Sequence, residues 1–135
     1  MNANPKVDLL KQVPLFQQLS DRELKAVAAL ADEVDVPAGR ALTREGLAGK
    51  EFVVLAEGIA DVERDGEVVN HLGPGDYFGE ISLVTGQPRT ATVTTRSPSR
   101  LLVLTAPAFR SLLDRTPRLR QRVVARAALR LAKTS

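Results

Sequence analysis

The sequence has no cysteine and no tryptophan, and only one methionine, one histidine and one tyrosine among its 135 residues. Without cysteine it can form no disulfide, present no thiolate nucleophile and build no Cys-ligated metal site. Such a composition suits a reducing, cytoplasmic compartment. Aromatic residues make up 4% of the chain, too few to build a base-stacking platform for single-stranded nucleic acid. His71 stands alone in a predicted strand, with no second histidine or carboxylate at ligand spacing, so no metal or catalytic role is expected of it. There is no G-x-S-x-G, no Walker loop and no paired carboxylate site with a matching base. The chain is therefore not expected to be an enzyme or to need a catalytic cofactor. No apolar run approaches the roughly 20 residues of a membrane helix, and the first eleven residues lack a signal-peptide core. Membrane insertion is not expected.

What is present reads as one globular domain spanning 1–135, with 44% hydrophobic and 26% charged residues. The net charge of +3 is uneven: from residue 106 onward eight basic residues stand against Asp114 alone, so the remainder is net acidic. A basic helix of this kind is most simply a solvated face.

Residues 1–32 read as helical. Pro5 to Phe16 predicts a short helix interrupted at Pro14, and Ser20-Asp21-Arg22-Glu23 fits a capping box ahead of the stripe Leu24, Val27, Ala28, Ala31. From 33 to 105 short strands take over. These are Val34 to Val36, Arg40 to Thr43, the apolar run Phe52 to Leu55, Ile59 to Glu63, Glu67 to Leu72, the β-branched stretch Thr90 to Thr95, and Leu101 to Leu104. Asp65-Gly66 marks a tight hairpin between two of them. Helix returns over 106–135, with Pro107 at a first helical position, a break at Pro117, and a final helix from Arg118 to Lys133. Its stripe is Leu119, Val123, Ala127 and Leu131, beside Val124 and Ala128. The fold class is mainly β with flanking helices, an antiparallel barrel or sandwich.

The segment 78–93 departs from ordinary barrel punctuation. Phe78-Gly79-Glu80-Ile81-Ser82 leads through Gly86-Gln87-Pro88 to Arg89-Thr90-Ala91, and reads as a buried loop carrying polar residues. Gly79 lets backbone approach a ligand closely, and successive N–H groups around a short turn suit an anion. Arg89 offers a planar fork of donors for two phosphate oxygens. Glu80 is an acceptor pair, suited to a sugar hydroxyl. Taken alone, Arg89 and Glu80 are equally compatible with a structural salt bridge across a hairpin.

The ordered string resembles the phosphate-binding cassette of the cyclic nucleotide-binding domain family, the type found in cAMP receptor proteins and protein kinase A regulatory subunits. Gly46, Phe52 to Leu55 and Gly58 resemble a second signature of that family, with Leu47 where a polar residue is usual and Thr43 where an aliphatic one is. The resemblance implies an eight-stranded jelly-roll barrel with N-terminal helices and two C-terminal helices. It further implies that Arg89 pairs with the cyclic phosphate and that Glu80 and the Gly79 backbone bond the ribose 2′-hydroxyl. Ser82, Thr90 and Ala91 would supply further phosphate donors, and Ile81, Val69 and Leu72 would pack near the nucleotide. The implied ligand is cAMP in preference to cGMP, and the implied function is a sensor that signals as its C-terminal helices repack. Two alternatives stand beside it: an interaction module with a vestigial pocket, and the ligand-binding part of a receptor-type transcription regulator without its DNA-binding domain. No helix-turn-helix follows the final helix, so DNA is not an expected partner. The effector or fused output is left open, as is a homodimer through the C-terminal helix.

Overall fold

The computed structural model describes residues 4–134. Asn4 starts the first helix, α1 (Pro5–Lys11), by accepting from the Lys6 and Val7 amides at 3.1 and 3.4 Å. Pro14 cannot donate a backbone hydrogen bond, and a single 3-10 turn (Pro14–Phe16) stands where α1 would otherwise continue. The Ser20/Glu23 capping box then opens α2 (Asp21–Leu30), which buries Leu24, Val27 and Ala28.

Eight strands follow: β1 (Asp32–Val36), β2 (Ala41–Thr43), β3 (Glu51–Glu57), β4 (Ala60–Arg64), β5 (Glu67–Leu72), β6 (Tyr77–Phe78), β7 (Thr92–Thr95) and β8 (Ser99–Thr105). They form two antiparallel four-stranded sheets, ordered β1-β8-β3-β6 and β2-β7-β4-β5. Consecutive strands repeatedly change sheet, which is the jelly-roll arrangement. The β4–β5 hairpin turns on Asp65 and Gly66, both at positive φ (53° and 80°), the conformation a two-residue turn of this hand requires.

The continuous apolar run of β3 has a specific cause: this strand is covered on both faces. Phe52 and Val54 pack into a core shared with the helices, while Val53 and Leu55 face the second sheet. β8 divides in the same way, with Leu102 and Leu104 toward the helices and Leu101 toward the second sheet. Alternate side chains of one strand point to opposite faces, so a doubly covered strand loses its polar positions. Phe52 anchors the helical side, its ring stacked on Phe109 at 4.5 Å and tilted against Tyr77 at 5.5 Å.

Two helices close the chain, α4 (Ala106–Arg115) and α5 (Pro117–Thr134). Leu119, Val123 and Ala127 of α5 are buried against the domain itself. Val124 and Ala128, read from sequence as flanking that stripe, are exposed, because one residue is a 100° rotation from the buried line. One further element departs from the sequence reading. Residues 80–85, expected as loop, form a short helix, α3 (Glu80–Thr85). Six residues with no side-chain N-cap give a weak local helix signal. The helix is held by burial of Glu80, Ile81, Ser82 and Leu83.

Candidate functional site

The register of β6 against β3 (Phe78 opposite Val53, Tyr77 opposite Val54) delivers the chain to Gly79 at the mouth of the barrel. Gly79 has φ 105°, and a Cβ there would strike the Glu51 carbonyl oxygen and lie 2.8 Å from Arg89 Nη1. Only glycine fits both the conformation and the space. From this point α3 runs to Gly86, whose amide returns to the Ser82 carbonyl at 2.8 Å. Arg89 is then pinned through its backbone: its amide donates to the Leu47 carbonyl (2.8 Å), and its carbonyl accepts from the Gly46 amide (2.9 Å). Leu47 serves through its backbone while its side chain is exposed, which explains why an unusual residue is tolerated there.

The Arg89 side chain lies 8% exposed between Gly49, Gly79 and β3. Its Nη2 donates to the Glu51 carbonyl at 2.5 Å, while Nε and Nη1 are buried with no partner. Burial lowers its pKa, opposed by the charges of Glu80 and Glu51. A guanidinium held dry with two donors unused is a costly arrangement without an anion to receive them.

Glu80 is fully buried. It does not bond to Arg89, the cross-hairpin partner that sequence left open. Instead its Oε1 accepts from Arg130 Nη1 of α5 at 2.5 Å, and Oε2 has no partner. Arg130 Nη2 also donates to the Tyr77 carbonyl at 3.0 Å, and the guanidinium lies 4.8 Å from the Tyr77 ring centroid. Sequence reasoning missed Arg130. Its one local signal is position: three residues after Ala127, it places a cation next to the buried stripe of α5. Arg64 and Asn70 also line the cavity without having been singled out, and Thr43, noted in the sequence only as a departure from the second signature, lines it as well. Arg64 is tied to the cassette by Nε donating to the Thr90 carbonyl at 3.0 Å.

All seven residues singled out in the cassette, Gly79, Glu80, Ile81, Ser82, Arg89, Thr90 and Ala91, line one cavity of about 280 Å³. That is near the lower end of the roughly 300–1,000 Å³ typical of small-molecule sites. Val69 and Leu72 form part of its apolar wall, Leu72 belonging also to the core between the sheets. The site is thus a dry arginine fork at one end, a buried carboxylate beside it and aliphatic β-sheet opposite. His71 lies outside the cavity, paired across strands with Asp61 at 2.8 Å, and Asp61 also accepts from Arg96. Among the described residues no cluster of His, Cys, Asp and Glu could hold a metal ion, and no helix is long and apolar enough to cross a membrane.

The family model for the Cyclic nucleotide-binding domain matches residues 33–116, from β1 through α4. The chain belongs to that family. Among curated relatives of this cyclic nucleotide-binding regulatory domain is the cAMP-dependent protein kinase regulatory subunit of Yarrowia lipolytica, 40% identical over 107 residues, covering 77% of this chain and 28% of the relative. A cyclic nucleotide-gated potassium channel of Mesorhizobium japonicum is 36% identical over 109 residues, covering 81% of this chain and 30% of the channel. Among solved structures, the regulatory domain of Toxoplasma gondii PKA in co-crystal with cAMP superposes with a TM-score of 0.72 at 34% identity, covering 79% of this chain and 42% of that one. The domain spans about a quarter to a third of the length of these curated relatives.

Glu80 makes the domain's stability depend on pH in a definite direction. Burial pushes its carboxyl pKa up, opposed chiefly by the Arg130 charge. Folding therefore favours the protonated form. This contribution is full below the unfolded value near 4.3 and is lost as pH rises through the folded value. The unfolding free energy of wild type minus that of Glu80→Gln should fall as pH is raised from about 4 and then level off, read by urea unfolding at a series of pH values. A difference that stays flat across the range would contradict it.

Proposed function

We propose that the cavity binds cAMP, with Arg89 donating through Nε and Nη1 to the cyclic phosphate and Glu80 Oε2 accepting from the ribose 2′-hydroxyl. The observation that carries this reading is the buried Arg89 fork with two unused donors. A phosphodiester anion satisfies a planar pair of N–H groups at once. Glu80, Ile81 and Ser82 of α3 and Thr90 line the same cavity. The first-turn amides of α3 and the Ser82 and Thr90 hydroxyls add donors to the phosphate, and Ala91 adds its backbone amide. The base lies toward Val69, Leu72 and Ile81. The preference for cAMP over cGMP is supported by the relatives whose names specify cAMP. Thr90 is the hydroxyl through which a guanine amino group would compete.

Signalling follows from Arg130. It ties α5 to Glu80 and to the Tyr77 carbonyl, so a ligand that engages Glu80 alters the docking of the C-terminal helices. The equilibrium shifts only by the difference in ligand affinity between the two helix arrangements. The unit acts as one domain in a cytoplasmic protein and passes the signal to a partner or fused module through α4 and α5.

Titration calorimetry with both nucleotides tests the reading. cAMP is expected to bind with one site per chain, more tightly than cGMP. Equal or tighter binding of cGMP overturns the base assignment. No heat from either nucleotide overturns the sensor and favours an interaction module with a vestigial pocket.

A further inference from the structure

Tyr77 also lines a second cavity, of about 310 Å³, between the Pro14–Phe16 turn and α5. It is lined by Pro14, Leu15, Tyr77, Arg122, Ala125 and Arg126. No carboxylate lines it among the described residues. Tyr77 is 6% exposed, and its hydroxyl is buried with no partner. Arg122 uses Nη2 to donate to the Pro14 carbonyl at 3.1 Å, leaving Nη1 buried and unpaired. Two separate side chains at one cavity thus each hold a buried donor without an acceptor, a situation folded proteins rarely leave unfilled. Arg126 adds a second cation at the rim.

We propose that this cavity is a second binding site, for a phosphate monoester. Two guanidinium groups match a dianionic head, and charge-assisted N–H bonds to phosphate oxygens are the strongest these donors make. The Tyr77 hydroxyl supplies a third donor, and Pro14, Leu15 and Ala125 give an apolar shelf for the carbon portion. The site is separate from the cyclic-phosphate end of the nucleotide cavity: it uses neither Arg89 nor the α3 cassette. The two cavities share only Tyr77.

The test uses inorganic phosphate as the probe, titrated into the full chain carrying Arg89→Ala at constant ionic strength. That background removes the guanidinium of the nucleotide cavity, so failure here and failure of the nucleotide reading are distinguishable. Saturable backbone amide shifts are expected at Leu15 and Ala125. Adding Arg122→Gln should weaken the fitted affinity at least tenfold. Tyr77→Phe removes a hydroxyl with no protein partner, so phosphate-free thermal stability should stay equal or rise while phosphate affinity falls several-fold. If Arg122→Gln does not fold, the Tyr77→Phe pair of measurements carries the test alone. Shifts that grow linearly without saturation, or saturable binding unchanged in both variants, overturn the site.

Discussion

Replacing Arg89 with alanine will lower cyclic-nucleotide affinity by about 30- to 5,000-fold while leaving the unliganded domain within about 1 kcal/mol of wild-type stability. The affinity range corresponds to the roughly 2–5 kcal/mol lost when one partner of a buried, hydrogen-bonded charge pair is truncated. The stability expectation comes from the other side of the same geometry. Arg89 makes one side-chain hydrogen bond, to the Glu51 carbonyl, and leaves Nε and Nη1 desolvated and idle. Removing it loses a hydrogen bond of about 1 kcal/mol and some attraction to Glu80, and it relieves a buried cation. A side chain that keeps two buried donors idle in the unliganded protein and finds partners for them only in a ligand is characteristic of a binding residue. Calorimetry for affinity and urea unfolding for stability read the two halves separately. A structural arginine gives the reverse pattern, with stability falling by several kcal/mol and affinity for cAMP unmoved. That result would remove the phosphate role.

Gly79→Ala should destabilise the domain by about 2–5 kcal/mol and weaken nucleotide binding as well. Two effects add. A side chain at φ 105° is strained by roughly 1–2 kcal/mol. The new Cβ would also meet the Glu51 carbonyl oxygen and Arg89 Nη1, and overpacking of this kind costs about 1–3 kcal/mol. Moving the Glu51 carbonyl disturbs the bond that orients Arg89, which is why affinity should fall with stability. Gly86→Ala is the internal control. Gly86 lies at φ 75° with nothing within 4 Å of an added Cβ, so it reports strain alone and should lose only about 1 kcal/mol. The gap between the two urea midpoints measures the collision. Equal losses at the two positions would show that close packing around Gly79 has no energetic weight.

Much of the fold is legible in the residues because its signals are local. The Ser20–Glu23 box, Pro14, the Asp65-Gly66 hairpin and Pro107 each act within a few positions along the chain, and the elements begin and end close to them. The run Phe52 to Leu55 is apolar throughout because helices cover one face of β3 and the second sheet covers the other. Two elements escaped. β6 is two residues long, too short to show a period. α3 lacks a capping side chain and contains Ile, Val, Thr and Ser, residues of modest helix propensity, so burial decides it and no local preference does.

At the site the division is similar. The order Phe78-Gly79-Glu80 then Arg89-Thr90-Ala91 determined, from sequence alone, which groups could meet an anion and a sugar hydroxyl, since the chemistry of a guanidinium fork and a carboxylate belongs to the side chains themselves. Which partners those groups take in the folded molecule was decided only by tertiary structure. Arg89 stays unpaired on two donors because Gly49, Gly79 and β3 enclose it. Glu80 is claimed by Arg130, fifty residues further along the chain, and no spacing rule reaches across that distance. A buried charge takes whichever counter-charge the packing brings within reach, and for Glu80 that is set by where α5 lies on the barrel.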